Sequence, residues 1–158
     1  MFNIIQPERA YFGQKDIQQT IVLKTLVRDL HIPVDLRVGA TIREHDGLAL
    51  SSRNAYLESN QRSDALVLYR ALKAGMDLYY SQPNTPAHLV LDAALGTLAR
   101  EIRNSDGRVA VDYLRLVHPE TLHDLGDQTT TKGGILVGAT FLKGPERTIR
   151  LIDNMILE

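Results

Sequence analysis

Cysteine is absent from the 158-residue sequence, which excludes disulfide bonds and thiolate metal sites. An excess of charge of one sign is also missing, because 18 lysines and arginines nearly balance 19 aspartates and glutamates, for a net charge of -1. This balance provides no reason to expect nucleic acid or an anionic membrane as a partner. The longest uncharged, largely apolar run, residues 133–142, is too short to cross a bilayer, and the first residues show no secretory signal. We therefore expect a cytoplasmic protein that binds neither nucleic acid nor membranes.

A strand, a helix and a second strand are predicted at the start of the chain. The short apolar run Arg9–Gly13 ends in glycine and is typical of a buried strand. Apolar residues then recur at helical spacing up to Leu30, and Asp16 is placed to cap this helix, with Gln19 three residues later. Residues 34–39 predict the second strand. Strand, helix and strand of these lengths form a βαβ unit, part of a parallel sheet.

The rest of the chain predicts a small α+β arrangement. Residues 40–53 carry charges, a glycine and paired serines without a sustained period, which indicates a loop or hinge. One long amphipathic helix is predicted over residues 59–80, and a second helix ends at about Asn104. Three strands are then predicted over residues 109–116, 135–142 and 148–152, and we expect them to form an antiparallel sheet. In the first strand the apolar alternation changes after Tyr113, which indicates a bulge or two covered faces.

The motif FGQKDIQQ, residues 12–19, lies where the first strand ends and the helix begins, at the edge of an open α/β sheet where ligands bind. Gly13 lets the backbone approach a ligand closely, and a helix N-terminus presents unpaired N–H groups to an anion. Lys15 adds a positive charge, and Asp16 can accept hydrogen bonds from ribose hydroxyls or face a metal. The same residues also fit an ordinary corner, with Lys15 in solvent and Asp16 as the helix cap.

A second polar motif, LALSSRN at residues 48–54, lies in the loop. Its residue types suit a phosphate group, because Arg53 can bind two oxygens at once while Ser51 and Ser52 donate hydrogen bonds. The same residues also fit a helix-capping serine pair beside a surface arginine.

The two motifs flank one βαβ unit, and this placement brings them together. In a parallel sheet the strand ends Gly13 and Gly39 lie side by side, so the loop after Gly39 leads to the serines near Lys15. Two anion-binding motifs that converge on one crevice indicate a triphosphate or an adenylate as the ligand.

FGQKDIQQ, a strand and then DGLALSSRN together resemble the pantothenate synthetase (pantoate–β-alanine ligase) family, and the flanking FNIIQPERAY and terminal RLIDNMILE are similar to it as well. The resemblance implies an α/β fold that begins with a partial Rossmann-like, adenylyltransferase-type βαβ unit. Residues 1–42 would be the distal part of this nucleotide-binding domain. Residues 43–158 would be a C-terminal α+β lid domain with two helices and a three-stranded antiparallel sheet.

The resemblance also implies an ATP-dependent ligase of pantothenate biosynthesis. Members of the family join pantoate and β-alanine through a pantoyl-adenylate intermediate and release AMP and pyrophosphate, and Mg²⁺ on the ATP phosphates is expected. Gln19 matches the family's pantoate-binding glutamine, and Ile42 matches an aliphatic position that touches the nucleotide. The implied catalytic residues, which would stabilise charge on the α-phosphate, are Lys15, Ser51, Ser52 and Arg53. The implied ATP-contacting residues are Gly13, Gln14, Lys15, Asp16, Ile42, Leu50, Ser51, Ser52 and Arg53, of which the last four match the family's KMSKS-type loop.

Two departures from the family pattern stand out. Gln14 occupies a position where many members have glutamate, and the five histidines include no His-x-Gly-His-type motif. In the family that motif binds phosphates and supplies a catalytic histidine, so we expect little ligase activity from this chain alone. Two further interpretations stay open, a non-catalytic nucleotide-binding module and a homodimer formed through the exposed edge of the parallel strands.

Overall fold

The computed structural model describes residues 1–82, 84–126, 133–144 and 147–158. The chain begins with α1 (Phe2–Ile5), β1 (Arg9–Gly13), α2 (Ile17–Asp29) and β2 (Asp35–Gly39). β1 and β2 pair in parallel, with Gly13 opposite Gly39. The predicted βαβ unit is therefore confirmed.

The corner between β1 and α2 differs from the prediction in two ways. A 3₁₀ turn over Gln14–Asp16 precedes α2, and Asp16 makes no capping hydrogen bond, because its backbone (φ −92°, ψ 54°) is not in the extended conformation of a capping residue. The predicted capping role of Asp16 is therefore wrong. β1 is also more exposed than predicted, with Tyr11 72% exposed, because β2 is its one strand partner among the described residues.

A second group of helices and strands follows the loop. The helices are α3 (Arg62–Ala65), α4 (Val67–Ser81) and α5 (Ala87–Asn104). The strands are β3 (Val109–Val117), β4 (Gly134–Lys143) and β5 (Thr148–Leu157), which form an antiparallel sheet in the order β3-β4-β5. The predicted α+β part is confirmed. The register of β3 shifts between Val111 and Tyr113, just before the change in apolar alternation that indicated a bulge or two covered faces.

The predicted single long helix before the linker is wrong in its first part. A 3₁₀ turn leads into the short α3, and Leu66 interrupts the helix before α4 begins. Contacts with distant residues hold α3 in place, since Arg62 pairs with Asp46 at 2.6 Å and Asp64 pairs with Arg108 at 2.6 Å. These tertiary contacts override the continuous helical pattern of the local sequence.

Apolar side chains cover both faces of the antiparallel sheet. α4 and α5 pack on one face, where Leu72, Val90 and Leu136 are fully buried. α2 packs on the other face, where Ile17 belongs to a second core that includes Ile135. Successive residues of β4 therefore point into different cores, as the two-residue period of a strand requires. This packing places the start of α2 beside the sheet.

Candidate functional site

Lys15 lies in the turn at the carboxyl end of β1, next to the N-terminus of α2. Its side chain is half-buried, and this burial lowers the pKa of its ammonium group. The negative charges of Asp16 and Asp153 raise the Lys15 pKa, while the positive charge of Arg53 lowers it further. Lys15 is therefore not a freely solvated surface residue, and it lies within electrostatic reach of the second motif.

The other residues of the first motif surround this lysine. Gly13 ends β1 in an extended conformation, Asp16 is exposed at the start of α2, and Gln19 is exposed on the first turn of α2. Gln14 points toward the antiparallel sheet and donates a hydrogen bond from Nε2 to Oδ1 of Asn154 at 3.1 Å. Asp16 and Gln19 are accessible to a ligand, whereas Gln14 is engaged in a contact within the protein.

The loop of residues 40–53 contains a small hairpin. Arg43 and Ala49 form an antiparallel bridge, and the Leu50 N–H donates to the Ile42 carbonyl at 2.9 Å. Opposite residues of an antiparallel pair share one face, so Ile42 and Leu50 lie side by side, 72% and 54% exposed. Two exposed apolar side chains in one place suit a flat apolar group of a ligand.

The tip of this hairpin requires glycine at position 47. Gly47 has a φ of +101°, and a Cβ at this position would overlap the ring of Tyr69 on α4. The same ring lies against Arg43, whose Cζ is 5.2 Å from the ring centroid. Tyr69 therefore holds the hairpin from the side of α4.

Arg62 on α3 anchors the hairpin from a second direction. Its guanidinium donates to Oδ2 of Asp46 at 2.6 Å and to Oε2 of Glu44 at 2.8 Å. Glu44 also accepts a hydrogen bond from Nδ2 of Asn54 at 2.8 Å. The hydrogen bonds from Arg62 lower the pKa of Asp46 to about 2 and also lower the pKa of Glu44. This network fixes the chain on both sides of the second motif.

Ser51 stands immediately before a 3₁₀ helix, Ser52–Tyr56, that carries the rest of the second motif. Oγ of Ser51 accepts a hydrogen bond from the Arg53 N–H at 3.2 Å, so this serine does cap a helical turn. Ser52 and Arg53 are exposed, and Nη1 of Arg53 donates to the carbonyl of Arg150 on β5 at 3.4 Å. The motif is thus a capped turn whose arginine lies beside β5.

β5 lies between the two motifs and contacts both of them. Nδ2 of Asn154 donates to the carbonyls of Gln14 and Lys15, at 2.9 and 3.0 Å. Asp153 forms a two-point ion pair with Arg43 of the hairpin, at 2.7 and 3.0 Å. The strand predicted to end at residue 152 thus continues into the residues that join the two motifs.

The two motifs therefore line one crevice beside β5. A cavity of about 10 Å³, enough for about one water molecule, lies between them, and Lys15, Asn54 and Asp153 line it together with a larger number of apolar residues. An ammonium group, a guanidinium group and the N-terminus of α2 all favour an anion such as phosphate. The exposed pair Ile42 and Leu50 offers an apolar surface for a ring. This combination of groups suits a nucleotide.

The profile of a family described as Pantoate-beta-alanine ligase matches residues 1–156 of the chain. The chain belongs to this family. Relatives in the pantoate-beta-alanine ligase family include the pantothenate synthetase of Chloroflexus aggregans, 43% identical over 157 residues, and that of Herpetosiphon aurantiacus, 44% identical over 157 residues. Both alignments cover 99% of this chain and 53% of the relative. The chain thus spans about half the length of the curated relatives it matches.

Solved structures of pantoate-beta-alanine ligases have the same fold. The crystal structure of pantothenate synthetase from Thermus thermophilus matches with a TM-score of 0.76 and 42% identity, over 98% of this chain and 51% of that one. A pantoate-beta-alanine ligase from Francisella tularensis, solved in complex with beta-gamma ATP and beta-alanine, matches with a TM-score of 0.55 and 22% identity, over 98% of this chain and 46% of that one. At that identity the Francisella protein supports the fold alone. Together the two matches confirm the predicted α/β class.

Four residues that shape the crevice were not predicted from the sequence, namely Arg43, Arg62, Asp153 and Asn154. A signal for the last two was available, because Asp and Asn interrupt the apolar strand RLIDNMIL. Buried polar groups require hydrogen-bond partners, so two polar residues at the centre of an apolar strand indicate a specific contact. The sequence does not identify the partner, which lies about 140 positions earlier for Asn154.

Proposed function

We propose that this chain carries the ATP-binding and pantoate-binding part of a pantoate–β-alanine ligase. In the first step, the pantoate carboxylate attacks the α-phosphorus of ATP, and the bond to the bridging oxygen breaks to release pyrophosphate and leave pantoyl adenylate. In the second step, the amine of β-alanine attacks the acyl carbon, AMP leaves and pantothenate forms. The observation that supports this function best is that Lys15, next to the N-terminus of α2, lies within electrostatic reach of Arg53, whose side chain bonds to β5.

The catalytic contribution that we assign to this chain is electrostatic. Negative charge increases on the phosphate oxygens during transfer, and donors already held in place stabilise it without reorganisation. Lys15 and Arg53 supply the positive charge, and the exposed Ser52 supplies a hydroxyl donor. Ser51 accepts from the Arg53 N–H, so its own hydroxyl proton is available to a phosphate oxygen.

The remaining assigned residues orient the two substrates. Ile42 and Leu50 provide the apolar surface against which the adenine ring lies, and Gly13 leaves room for close approach of the triphosphate. Gln19 is exposed one turn into α2, where its amide can donate a hydrogen bond to pantoate. Gln14 contributes through its backbone, because its side chain is bonded to Asn154.

Mg²⁺, when bound to the ATP phosphates, would neutralise charge on the departing pyrophosphate. Among the described residues, no group of three or more His, Asp or Glu side chains could hold a metal ion. Mg²⁺ in nucleotide sites is commonly held by phosphates and one or two carboxylates. The exposed carboxylate of Asp16, at the start of α2, fits this smaller role.

We propose residues 1–42 as the distal part of the nucleotide-binding domain and residues 43–158 as a lid that brings its serines and arginine to the phosphates. The absence of cysteine is compatible with the reducing cytoplasm, where we expect the reaction to take place. In the described part of the chain, no helix combines the length and the apolar character needed to cross a membrane.

The first half-reaction tests the proposal, since pyrophosphate release from ATP and pantoate requires no β-alanine. In a ligase that contains this chain, Lys15→Ala and Arg53→Ala should each slow pyrophosphate release by about 10²–10³-fold, the usual effect of removing one charge stabiliser. Lys24→Ala, which removes an exposed lysine from α2, is the matched control and should retain the wild-type rate. A near-normal rate for either site variant would remove that residue from the mechanism.

The isolated chain separates this proposal from the two alternatives. The five histidines of the chain include no His-x-Gly-His-type motif, so we expect the chain alone to release little AMP from ATP, pantoate and β-alanine. If a longer protein that contains the chain also binds ATP but releases no AMP, the chain is a non-catalytic nucleotide-binding module. A dimer in sedimentation experiments would favour association through β1 and β2, which pair with each other and with no further strand in the described residues.

A further inference from the structure

Asn154 is a fully buried polar residue in the strand that lies farthest from the first motif in sequence. Its side-chain amide makes three hydrogen bonds to the turn between β1 and α2. Nδ2 donates to the carbonyl of Gln14 at 2.9 Å and to the carbonyl of Lys15 at 3.0 Å, and Oδ1 accepts from Nε2 of Gln14 at 3.1 Å. One buried side chain thus holds the peptide groups on both sides of Lys15.

Asp153 is also buried, and it faces the hairpin that carries the second motif. Its two carboxylate oxygens accept from Nη1 and Nη2 of Arg43 at 2.7 and 3.0 Å, and Oδ1 also accepts from the Asn154 N–H at 2.8 Å. Arg43 further donates to the carbonyls of Gly47 and Asn154. The negative charge of Asp153 lies close enough to Lys15 to favour its ammonium form.

The orientation of the turn follows from these contacts. In a trans peptide the C=O and the N–H point in opposite directions. Because Asn154 draws the carbonyls of Gln14 and Lys15 toward β5, the N–H groups of Lys15 and Asp16 point away from β5. The direction in which Lys15 leaves the backbone is set by the same peptide planes. A buried amide with three partners is costly to disturb, so the turn has one preferred arrangement.

We propose that Asp153 and Asn154 are positioning residues of the phosphate site, through which β5 holds the Gln14–Asp16 turn and the Arg43 hairpin in register with each other. This inference rests on the ATP site proposed above and assigns the last strand a part in it. Neither residue touches the phosphates. Asn154 acts through the turn that carries Lys15, and Asp153 acts through Arg43.

Asn154→Ala tests the first contact, with Val90→Ala as the matched control. Val90 is fully buried in α5 and packs in the core on the α4 and α5 side of the sheet, so its truncation destabilises the fold without touching the turn. At a temperature where both variants are folded, we expect Asn154→Ala to raise the Kd for ATP at least ~10-fold, the effect of losing somewhat more than one net hydrogen bond. The backbone amide NMR signals of Lys15 and Asp16 should shift in Asn154→Ala and remain unchanged in Val90→Ala.

Asp153→Asn tests the second contact and keeps the shape of the side chain, which preserves a test if Asn154→Ala does not fold. Asp77→Asn, on the exposed face of α4, is the control for removal of one negative charge. The Arg43 side-chain NMR signals should move in Asp153→Asn, because one oxygen of its two-point ion pair is lost, and remain unchanged in Asp77→Asn.

The NMR measurements and the ATP-binding measurements distinguish the proposed ATP site from the proposed positioning role of Asp153 and Asn154. If the wild-type chain does not bind ATP, the phosphate site itself is wrong, and the signals of Lys15 and Asp16 still decide whether Asn154 positions the turn. If the chain binds ATP but Asn154→Ala binds it equally well, the positioning role is wrong while the site stands. Unchanged Lys15 and Asp16 signals in Asn154→Ala, or Arg43 signals in Asp153→Asn that match those in Asp77→Asn, would also overturn the positioning role.

Discussion

Arg43→Met should destabilise the protein more than the removal of any exposed ion pair of the chain. The guanidinium makes two hydrogen bonds to Asp153, at 2.7 and 3.0 Å, and donates to the carbonyls of Gly47 and Asn154. Methionine keeps an unbranched chain that can still lie against Tyr69. The perturbation therefore removes the charge and its hydrogen bonds while it retains most of the packing.

The magnitude follows from the burial of the partner. The side chain of Asp153 is 6% exposed and that of Arg43 23%, so Arg43→Met leaves a carboxylate in the interior without its cation. Breaking a buried pair from one side costs about 3–5 kcal/mol, which corresponds to a fall in Tm of about 6–20 °C for a chain of this size. The exposed pair Arg37–Asp35, with side chains 59% and 45% exposed, is worth no more than about 1 kcal/mol.

Thermal and urea unfolding of Arg43→Met and Arg37→Met provide the comparison. We expect Arg37→Met to unfold within about 4 °C of the wild type and Arg43→Met to unfold well below it. The double variant Arg43→Met/Asp153→Leu should recover part of the lost stability, because an apolar pair of similar size replaces a buried ion pair at little cost. Equal unfolding temperatures for the two arginine variants would refute the reasoning, since burial would then make no difference.

Two further predictions concern the hairpin. Gly47→Ala should lower the Tm more than Gly107→Ala. Both glycines have positive φ, but a Cβ at Gly47 would also overlap the Tyr69 ring, whereas nothing lies within 4 Å of a Cβ at Gly107. Equal losses of Tm in thermal unfolding would argue against the close approach of Tyr69 to Gly47. The pKa of Asp46, about 2, lies below its ordinary value because Arg62 donates to its carboxylate, so this pair stabilises the fold above about pH 4 and the contribution disappears as the pH falls toward 2. Urea unfolding between pH 5 and 2 should show that loss in the wild type and a smaller one in Arg62→Gln; parallel curves for the two proteins would contradict the assignment.

The order and type of most elements could be predicted from the sequence, because they depend on local periodicity. Apolar residues that recur every three to four positions predicted α2 and α5. Short apolar runs that end in glycine predicted β1 and β2. The irregularity of β3 between Val111 and Tyr113 lies just before the change in apolar alternation that follows Tyr113 in the sequence. The two motifs also stand out locally, since glycine, lysine and paired serines are grouped within a few residues.

Element boundaries could not be predicted where a distant contact sets them. The break at Leu66 coincides with ion pairs that tie α3 to the loop and to Arg108. β5 continues past residue 152 because Asp153 and Asn154 find partners on other elements. In the sequence alone, these two polar residues mark the end of an apolar run, and the prediction stopped the strand there.

The sequence by itself determined which residue types are available for phosphate chemistry and on which local structures they stand. Only the tertiary structure decided that the turn with Lys15 and the side chain of Arg53 both bond to β5, which joins the two motifs. The physical reason is separation along the chain: Asp153 and Arg43 are 110 positions apart. Periodicity reports which face of an element is apolar, but the partner of a buried polar group is set by how the elements pack.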